Sequence, residues 1–357
     1  MKIRCLLLAA FAAVTVCAGA QEIKCDIVNE GTRRFLEEVD YSNDPEYTVS
    51  FAKDYRTDYG ASDKPLPVTI ALEGNASVVR VSASPLFENA FDVQADTTFA
   101  EIYNLIPGVK YYYKVLDSND VVLKSGDFTP VGPMRMIDGV TENVRDLGGW
   151  AATGGHIVYG KLYRGARLSR RMTDRSKEIF LKDLGIDVDL DLRGIKESEA
   201  YVGPGIEGVE YLKVPVEKNL GRGTGNTQEL YQQAIRSIIG WLGEGKVVYF
   251  HCAGGADRTG TLAFLIEALL GVSESDLSKD YELTTFARTN TRLRNYRDDG
   301  KETHILYETV THLRKFGYPE VADIGQLTYN WATTRHSDSV DPLTPEEIAL
   351  LRKYLVE

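Results

Sequence analysis

Between an apolar run, Val247 to Phe250, and a helical pattern that begins near Gly260 lies the stretch His251-Cys252-Ala253-Gly254-Gly255-Ala256-Asp257-Arg258-Thr259. A strand that feeds a small-residue loop into a helix start has few ways to fold. Its successive backbone N–H groups turn toward one point, and the positive end of the helix dipole faces the same point. That makes an anion cradle. At its base, Cys252 is expected to hold a lowered pKa, because N–H donors and the dipole favour thiolate over thiol. Arg258 can fold back and offer its planar fork to two oxygens of a bound phosphate. Gly254 and Gly255 let the backbone approach without a Cβ in the way. A lone cysteine beside an apolar strand is usually inert core, but that reading leaves His251, both glycines and Thr259 unexplained. A nucleophilic thiolate in a phosphate cradle implies phosphoryl transfer through a cysteinyl-phosphate.

His-Cys-x5-Arg-Thr is the signature of the cysteine-dependent phosphatases, and this loop resembles their bacterial tyrosine/serine protein phosphatase branch, whose loops read HC-x-x-G-K-D-R-T-G. Further segments are similar to that branch in the same order. They are Asn143-Val144-Arg145-Asp146-Leu147-Gly148-Gly149, Leu162-Tyr163-Arg164-Gly165, and Asp191-Leu192-Arg193 followed by Glu197. Asp280-Tyr281 resembles a pair found after the loop helix. Motif and context agree. The departure is Ala256, where many relatives carry a lysine associated with lipid substrates. Its absence weakens a specific expectation of phosphoinositides.

The resemblance implies roles. Cys252 attacks phosphorus, with Arg258, Thr259 and the amides of Ala253, Gly254, Gly255 and Ala256 around the phosphate. Thr259 would also donate its hydroxyl to the Cys252 sulfur, while His251 orients the loop. The Trp-Pro-Asp tripeptide of familiar tyrosine phosphatases is absent. Asp257 matches the loop aspartate that this branch uses as proton donor. Glu217, after the strand ending at Val216, stands where dual-specificity enzymes place a mobile acid; Asp257 is the favoured of the two. Arg145, Asp146, Asp191 and Arg193 either line the pocket or brace it. Gly221-Arg222-Gly223-Thr224-Gly225 reads as a mobile loop. No metal-ligand spacing stands out, and covalent catalysis requires neither metal nor cofactor.

Length and composition set the frame. A chain of 357 residues can build two cores. Its net charge of −11 without a lysine/arginine block argues against nucleic acid as a partner. Residues 1–20 read as a secretory signal peptide: Lys2 and Arg4, then an apolar run, then Ala18-Gly19-Ala20. A lipoprotein reading on Cys17 is disfavoured by Val16. No later run reaches a spanning length, so the expected location is secreted or periplasmic, without an integral membrane segment. Of four cysteines, Cys5 and Cys17 would leave with the signal, and Cys25 with Cys252 makes no disulfide framework.

After an N-terminal segment, 21–44, residues 45–130 alternate apolar and polar positions in short runs. Tyr47 to Phe51, Pro67 to Leu72, Ser77 to Ser82, Phe99 to Tyr103 and Lys110 to Leu116 predict an all-β sandwich. Leu105-Ile106-Pro107-Gly108-Val109-Lys110-Tyr111-Tyr112-Tyr113 resembles a strand entry of fibronectin type III domains, with the tyrosines packing the sheet. Residues 131–357 then alternate strands and helices. They predict an α/β phosphatase domain, protein-tyrosine-phosphatase-like, with a mostly parallel sheet flanked by helices. Thr344-Pro345-Glu346-Glu347 predicts a capping box that opens a last helix to about Leu355. The expected activity is a phosphomonoesterase acting on phosphorylated protein or a small phosphate ester. An inositol phosphate or phosphoinositide phosphatase is the alternative within the class. A phosphate-binding or adhesive module, its β-domain docking an unidentified partner, is the alternative outside it.

Overall fold

The computed structural model describes residues 23–357 except 73, 97, 170–171, 198–200, 223–225, 288–290 and 296–304. The signal-like start and most of the glycine loop at 221–225 thus lie outside the described residues. Two compact units emerge. One comprises Val68–Glu101 and Tyr111–Phe128; the other comprises Asp26–Pro67, Ile102–Lys110 and Thr129–Glu357.

The first unit is all β. Strands β1 (Val68–Ala71), β2 (Ala76–Ser82), β3 (Phe91–Gln94), β4 (Phe99–Ile102), β5 (Tyr111–Asp117) and β6 (Val122–Phe128) form two sheets, ordered β3-β2-β5-β6 and β1-β4. Period two explains the larger sheet, which is antiparallel. Val79, Val81, Tyr113 and Val115 are buried, while Arg80 of β2 pairs across the strands with Asp92 at 2.8 Å. Tyr113 lies over Gly126 on β6, where an added Cβ would stand 2.8 Å from the ring. Tyr111, stacked on Phe128, and Tyr113 therefore pack the sheet.

The strand expected at 47–51 does not form, and residues 45–67 belong to the second unit. The Asp44 carboxylate accepts from Thr48 N, Thr48 Oγ1 and Val49 N, which turns the chain where an extended run was expected. Tyr47 sits at φ 57° within that turn. Helix α2 (Ala52–Asp58) forms there instead, and α1 (Glu30–Glu38), capped by Asn29, precedes it.

The second unit is built on a five-stranded sheet ordered β12-β11-β13-β10-β7. Its strands are β7 (Arg145–Asp146), β10 (Leu162–Gly165), β11 (Val188–Asp191), β12 (Glu210–Lys213) and β13 (Val248–His251); a small hairpin, β8 (Ala151–Ala152) and β9 (Gly155–His156), lies apart. The four longer strands run parallel and β7 is antiparallel at the edge. All four residues of β13 are buried, as a central parallel strand requires. Register aligns Gly165, His251 and Asp191 at the carboxyl ends of β10, β13 and β11. The loops that follow them leave from one rim.

Helices α3 (Asp174–Glu178), α4 (Thr227–Gly243), α5 (Asp257–Leu270), α6 (Glu274–Leu283), α7 (Ile305–Leu313), α8 (Ile324–Ala332) and α9 (Pro345–Leu355) complete the unit. Helix α3 continues into a widened π turn that buries Ile179 and Phe180. Every residue of α5 from Thr259 to Leu270 is buried, so apolar positions surround this helix instead of forming a stripe. The capping box of α9 forms: Thr344 Oγ1 accepts from Glu347 N at 3.1 Å and Glu347 Oε2 from Thr344 N at 2.8 Å. No helix among the described residues is long and apolar enough to cross a membrane.

Candidate active site

The loop from β13 to α5 is held from outside by its carbonyls. Arg167 N donates to Ala253 O at 3.1 Å, and Asn143 Nδ2 donates to Gly254 O at 3.2 Å and Gly255 O at 3.0 Å. Arg164 Nη2 reaches Gly255 O at 3.1 Å. In a planar trans peptide the N–H points opposite to the C=O. Binding these three carbonyls outward therefore turns the amides of Gly254, Gly255 and Ala256 to the other side. Gly255 adopts φ 64°, and a Cβ there would stand 2.4 Å from the Gly165 carbonyl carbon. Only glycine fits.

Cys252 lies at the base of this loop and is 3% exposed. Burial pushes its thiol pKa up, but the Arg258 charge and the Thr259 hydroxyl and amide pull it down further, and the net shift is downward. The Thr259 hydroxyl, fully buried, has no other hydrogen-bond partner among the described residues. Arg258 donates from Nη1 to Glu197 Oε2 at 2.6 Å and from Nη2 to Glu197 Oε1 at 3.0 Å. Glu197 thereby fixes the fork near the sulfur, and this hydrogen bond holds the Glu197 carboxyl below its usual range.

His251 is buried behind the cysteine, its Nδ1 2.9 Å from Cys252 O. Its Nε2 lies 2.9 Å from Asp189 Oδ1, an ion-pair distance without the angle of a hydrogen bond. Burial lowers the imidazole pKa, Asp189 and Asp191 raise it, and the net is upward. Its tie to the Cys252 carbonyl orients the ring behind the loop.

The four residues expected to line or brace the pocket are all buried and bound to other groups. Arg145 donates to both Asp280 oxygens, at 2.8 and 3.4 Å, and to Asn143 Oδ1 at 2.8 Å. Arg164 pairs with the same Asp280. This buried Arg-Asp-Arg knot carries the Asn143 and Arg164 contacts to the loop. Asp146 faces Arg135 and accepts from Gly148 N and Gly160 N at 2.9 and 2.8 Å. Asp191 and Arg193 are bound to each other by Nε–Oδ1 at 2.9 Å and Nη2–Oδ2 at 2.8 Å. Among the described residues no group of three or more His, Cys, Asp or Glu could hold a metal ion.

Residues 137–357 match the model of the tyrosine phosphatase family. The chain belongs to that family. The match excludes the 26–67 segment that folds into the same unit. A Cupriavidus necator protein provisionally named a tyrosine-protein phosphatase is 31% identical over 163 residues, covering 39% of this chain; the alignment spans 59% of that relative's length. Solved structures at 16–21% identity include Saccharomyces cerevisiae Siw14, a PP-IP phosphatase, in complex with citrate (TM-score 0.29, 38% of this chain and 77% of that one). Pseudomonas aeruginosa TpbA gives a TM-score of 0.32 over 51% of this chain and 96% of its own. Such likeness is too loose to bear on substrate.

The two candidate proton donors of this family member stand differently. Asp257 opens α5, one residue from Arg258, and is gripped by Arg292 through Nε–Oδ1 at 2.5 Å and Nη2–Oδ2 at 2.8 Å. Tyr281 OH donates to Asp257 Oδ1 at 3.4 Å. Glu217 is exposed; its Oε1 accepts from Ile195 N at 3.2 Å and its carboxylate packs over Gly194. Arg222 donates to Glu308 Oε1 at 2.9 Å and is committed there. Sequence reading missed Arg292 and gave Glu197 no role. Glu197 had a signal, its spacing after Asp191-Leu192-Arg193; Arg292 stands in a charged, unpatterned stretch and had none.

Proposed function

We propose that this protein is a phosphomonoesterase that works through a cysteinyl-phosphate intermediate. The observation that carries the reading is the buried Cys252 thiol, its pKa drawn down by Arg258 and Thr259 inside a loop whose carbonyls are bound outward. Cys252 Sγ attacks phosphorus in line. The P–S bond forms as the bond to the leaving oxygen breaks, and Asp257 gives that oxygen a proton. Water then attacks phosphorus, Asp257 takes a proton back, and the P–S bond breaks to release inorganic phosphate and the thiolate. Arg258 and the loop amides hold the equatorial oxygens through both steps.

A secreted or periplasmic location belongs to the same reading, supported by the basic, apolar and small-residue order of residues 1–20. The β unit is read as fibronectin type III-like on the alternation of its six strands, although Leu105 to Lys110 of the expected strand entry fall in the other unit.

The test is turnover of phenyl phosphate and of inositol hexakisphosphate by the native protein and by Cys252→Ser. The expected result is hydrolysis by the native protein and none above background by the variant. Unchanged turnover by the serine variant overturns the covalent mechanism. Preference between the two compounds assigns the substrate class.

A further inference from the structure

Asp257 takes its place in the chain from the loop, but its carboxylate is aimed from elsewhere. Both its oxygens are bound by the fork of Arg292, 35 residues along. Arg292 is itself fixed by its backbone. Its N–H donates to Thr285 Oγ1 at 2.8 Å, and Thr285 Oγ1 donates to Arg292 O at 2.5 Å. Thr285 is fully buried, and its carbonyl accepts from Arg56 of α2 at 2.7 Å.

Two residues on, Arg294 anchors the same strand of chain into the 26–67 segment. Its guanidinium lies 4.1 Å from the ring centres of both Tyr41 and Tyr47, donates to Asp44 Oδ2 at 2.5 Å and to Asp44 O at 3.0 Å, and is 1% exposed. Its backbone N–H donates to Glu282 Oε1 at 2.6 Å, and Tyr41 OH and Ser50 Oγ donate to the Glu282 carboxylate. A cation between two aromatic faces, bound also by a carboxylate, leaves no freedom to slide by a residue. Arg292 is thus placed by a segment that precedes the family-matched residues 137–357.

We propose that Arg292 is a positioning residue for the proton donor Asp257, and that the 26–67 segment holds Arg292 in place through Arg294. The inference rests on the reaction proposed above. As Asp257 O–H passes its proton to the leaving oxygen, a carboxylate develops between the two nitrogens of Arg292 that stabilise it. The pair therefore assists the step in which the P–O bond breaks and is idle when the leaving group needs no proton.

Leaving-group dependence reads this directly. Turnover of phenyl phosphate (poor leaving group) and of 2,4-dinitrophenyl phosphate (good) is compared for native protein, Asp257→Asn, Glu217→Gln, Arg292→Gln, Arg292→Lys, Arg294→Met and the double variant Asp257→Asn/Arg292→Gln. Asp257→Asn is expected to lose about 100-fold more on the phenyl ester than on the dinitrophenyl ester. Both Arg292 variants are expected to lose roughly tenfold more on the phenyl ester, lysine failing because it lacks the fork. Arg294→Met falls between native and Arg292→Gln, and the double variant is no worse than Asp257→Asn. Arg292 is 30% exposed, so its variants keep the fold even if Arg294→Met does not. Equal losses on both esters, a native ratio in Arg292→Gln, additive losses in the double variant, or a selective loss that belongs to Glu217→Gln would each overturn the inference while the phosphatase reading stands. No turnover of either ester by native protein would sink both.

Discussion

A buried thiol resists ionisation, and the Cys252 pKa falls below that of an ordinary thiol only because specific neighbours outweigh its burial. Of these, Arg258 would also hold the phosphate in the proposed reaction, whereas Thr259 bonds the sulfur without carrying charge. Thr259→Val keeps the shape and removes the hydroxyl, which has no other partner. The thiolate would lose one hydrogen bond. A bond to a charged group is worth about 1.5–3 kcal/mol, so alkylation of Cys252 by iodoacetamide at pH 6 should slow roughly tenfold or more in the variant. Because the thiol pKa moves upward, the acid limb of the rate–pH profile should move to higher pH. An unmoved limb would mean the hydroxyl does not serve the sulfur. This part of the site was legible in the sequence because Cys252, Arg258 and Thr259 lie within one short loop, where strand and helix fix their relation. Arg292 was not legible, since only tertiary folding brings it to Asp257.

The loop works as an element because its backbone is pinned on its outer side. Gly255 is the tightest point, left-handed at φ 64° and packed against the Gly165 backbone. Gly255→Ala adds a strained conformation of about 1–2 kcal/mol and a contact that backbone cannot relieve by a rotamer change. The expected outcome is a drop of about 2–4 kcal/mol in urea-unfolding stability, together with weakened protection of Cys252 by orthophosphate against alkylation. Full stability in the alanine variant would show that the loop has room the geometry denies. Period and caps made several elements readable: β2, β5 and α9 fall where alternation and the Thr344 box predict them. The failure at 47–51 has a physical cause. Alternation there was real, but Asp44 captured the backbone amides of Thr48 and Val49, and local side-chain bonding won over pattern. Arg145, Asp146, Asp191 and Arg193 could not be sorted between pocket and scaffold from spacing, because the partner that decides for Arg145, Asp280, lies 135 residues away.

The phosphatase unit is larger than its family-matched part, since 26–67 folds onto α6 and the Arg294 strand. Tyr41 N donates to Ser275 Oγ, Lys279 Nζ to Leu36 O, and Phe35 packs edge-on against Phe286. At the centre of this seam is Glu282, fully buried, with its pKa pushed up from 4.5 to about 7 by burial. The groups facing it are Tyr41, Ser50 and Arg294, whose hydrogen bonds and charge pull the pKa down without cancelling burial. The unfolded chain restores an ordinary carboxyl, so the folded state binds this proton more tightly. Its stabilising contribution is complete below about pH 4.5 and is lost as pH rises through about 7. A shift of that size corresponds to about 3 kcal/mol across the interval. Glu282→Gln has the shape of the protonated acid and cannot ionise. Urea unfolding at pH 5 and pH 8 should therefore show native protein losing stability relative to the variant as pH rises, with the variant the more stable of the two at pH 8. If both lose stability in parallel, other groups carry the pH dependence and the seam is indifferent to it. Because the same carboxylate receives the Arg294 amide, the ratio of phenyl to dinitrophenyl ester turnover should also be less sensitive to pH between 6 and 8 in Glu282→Gln, which links seam to site through the one strand they share.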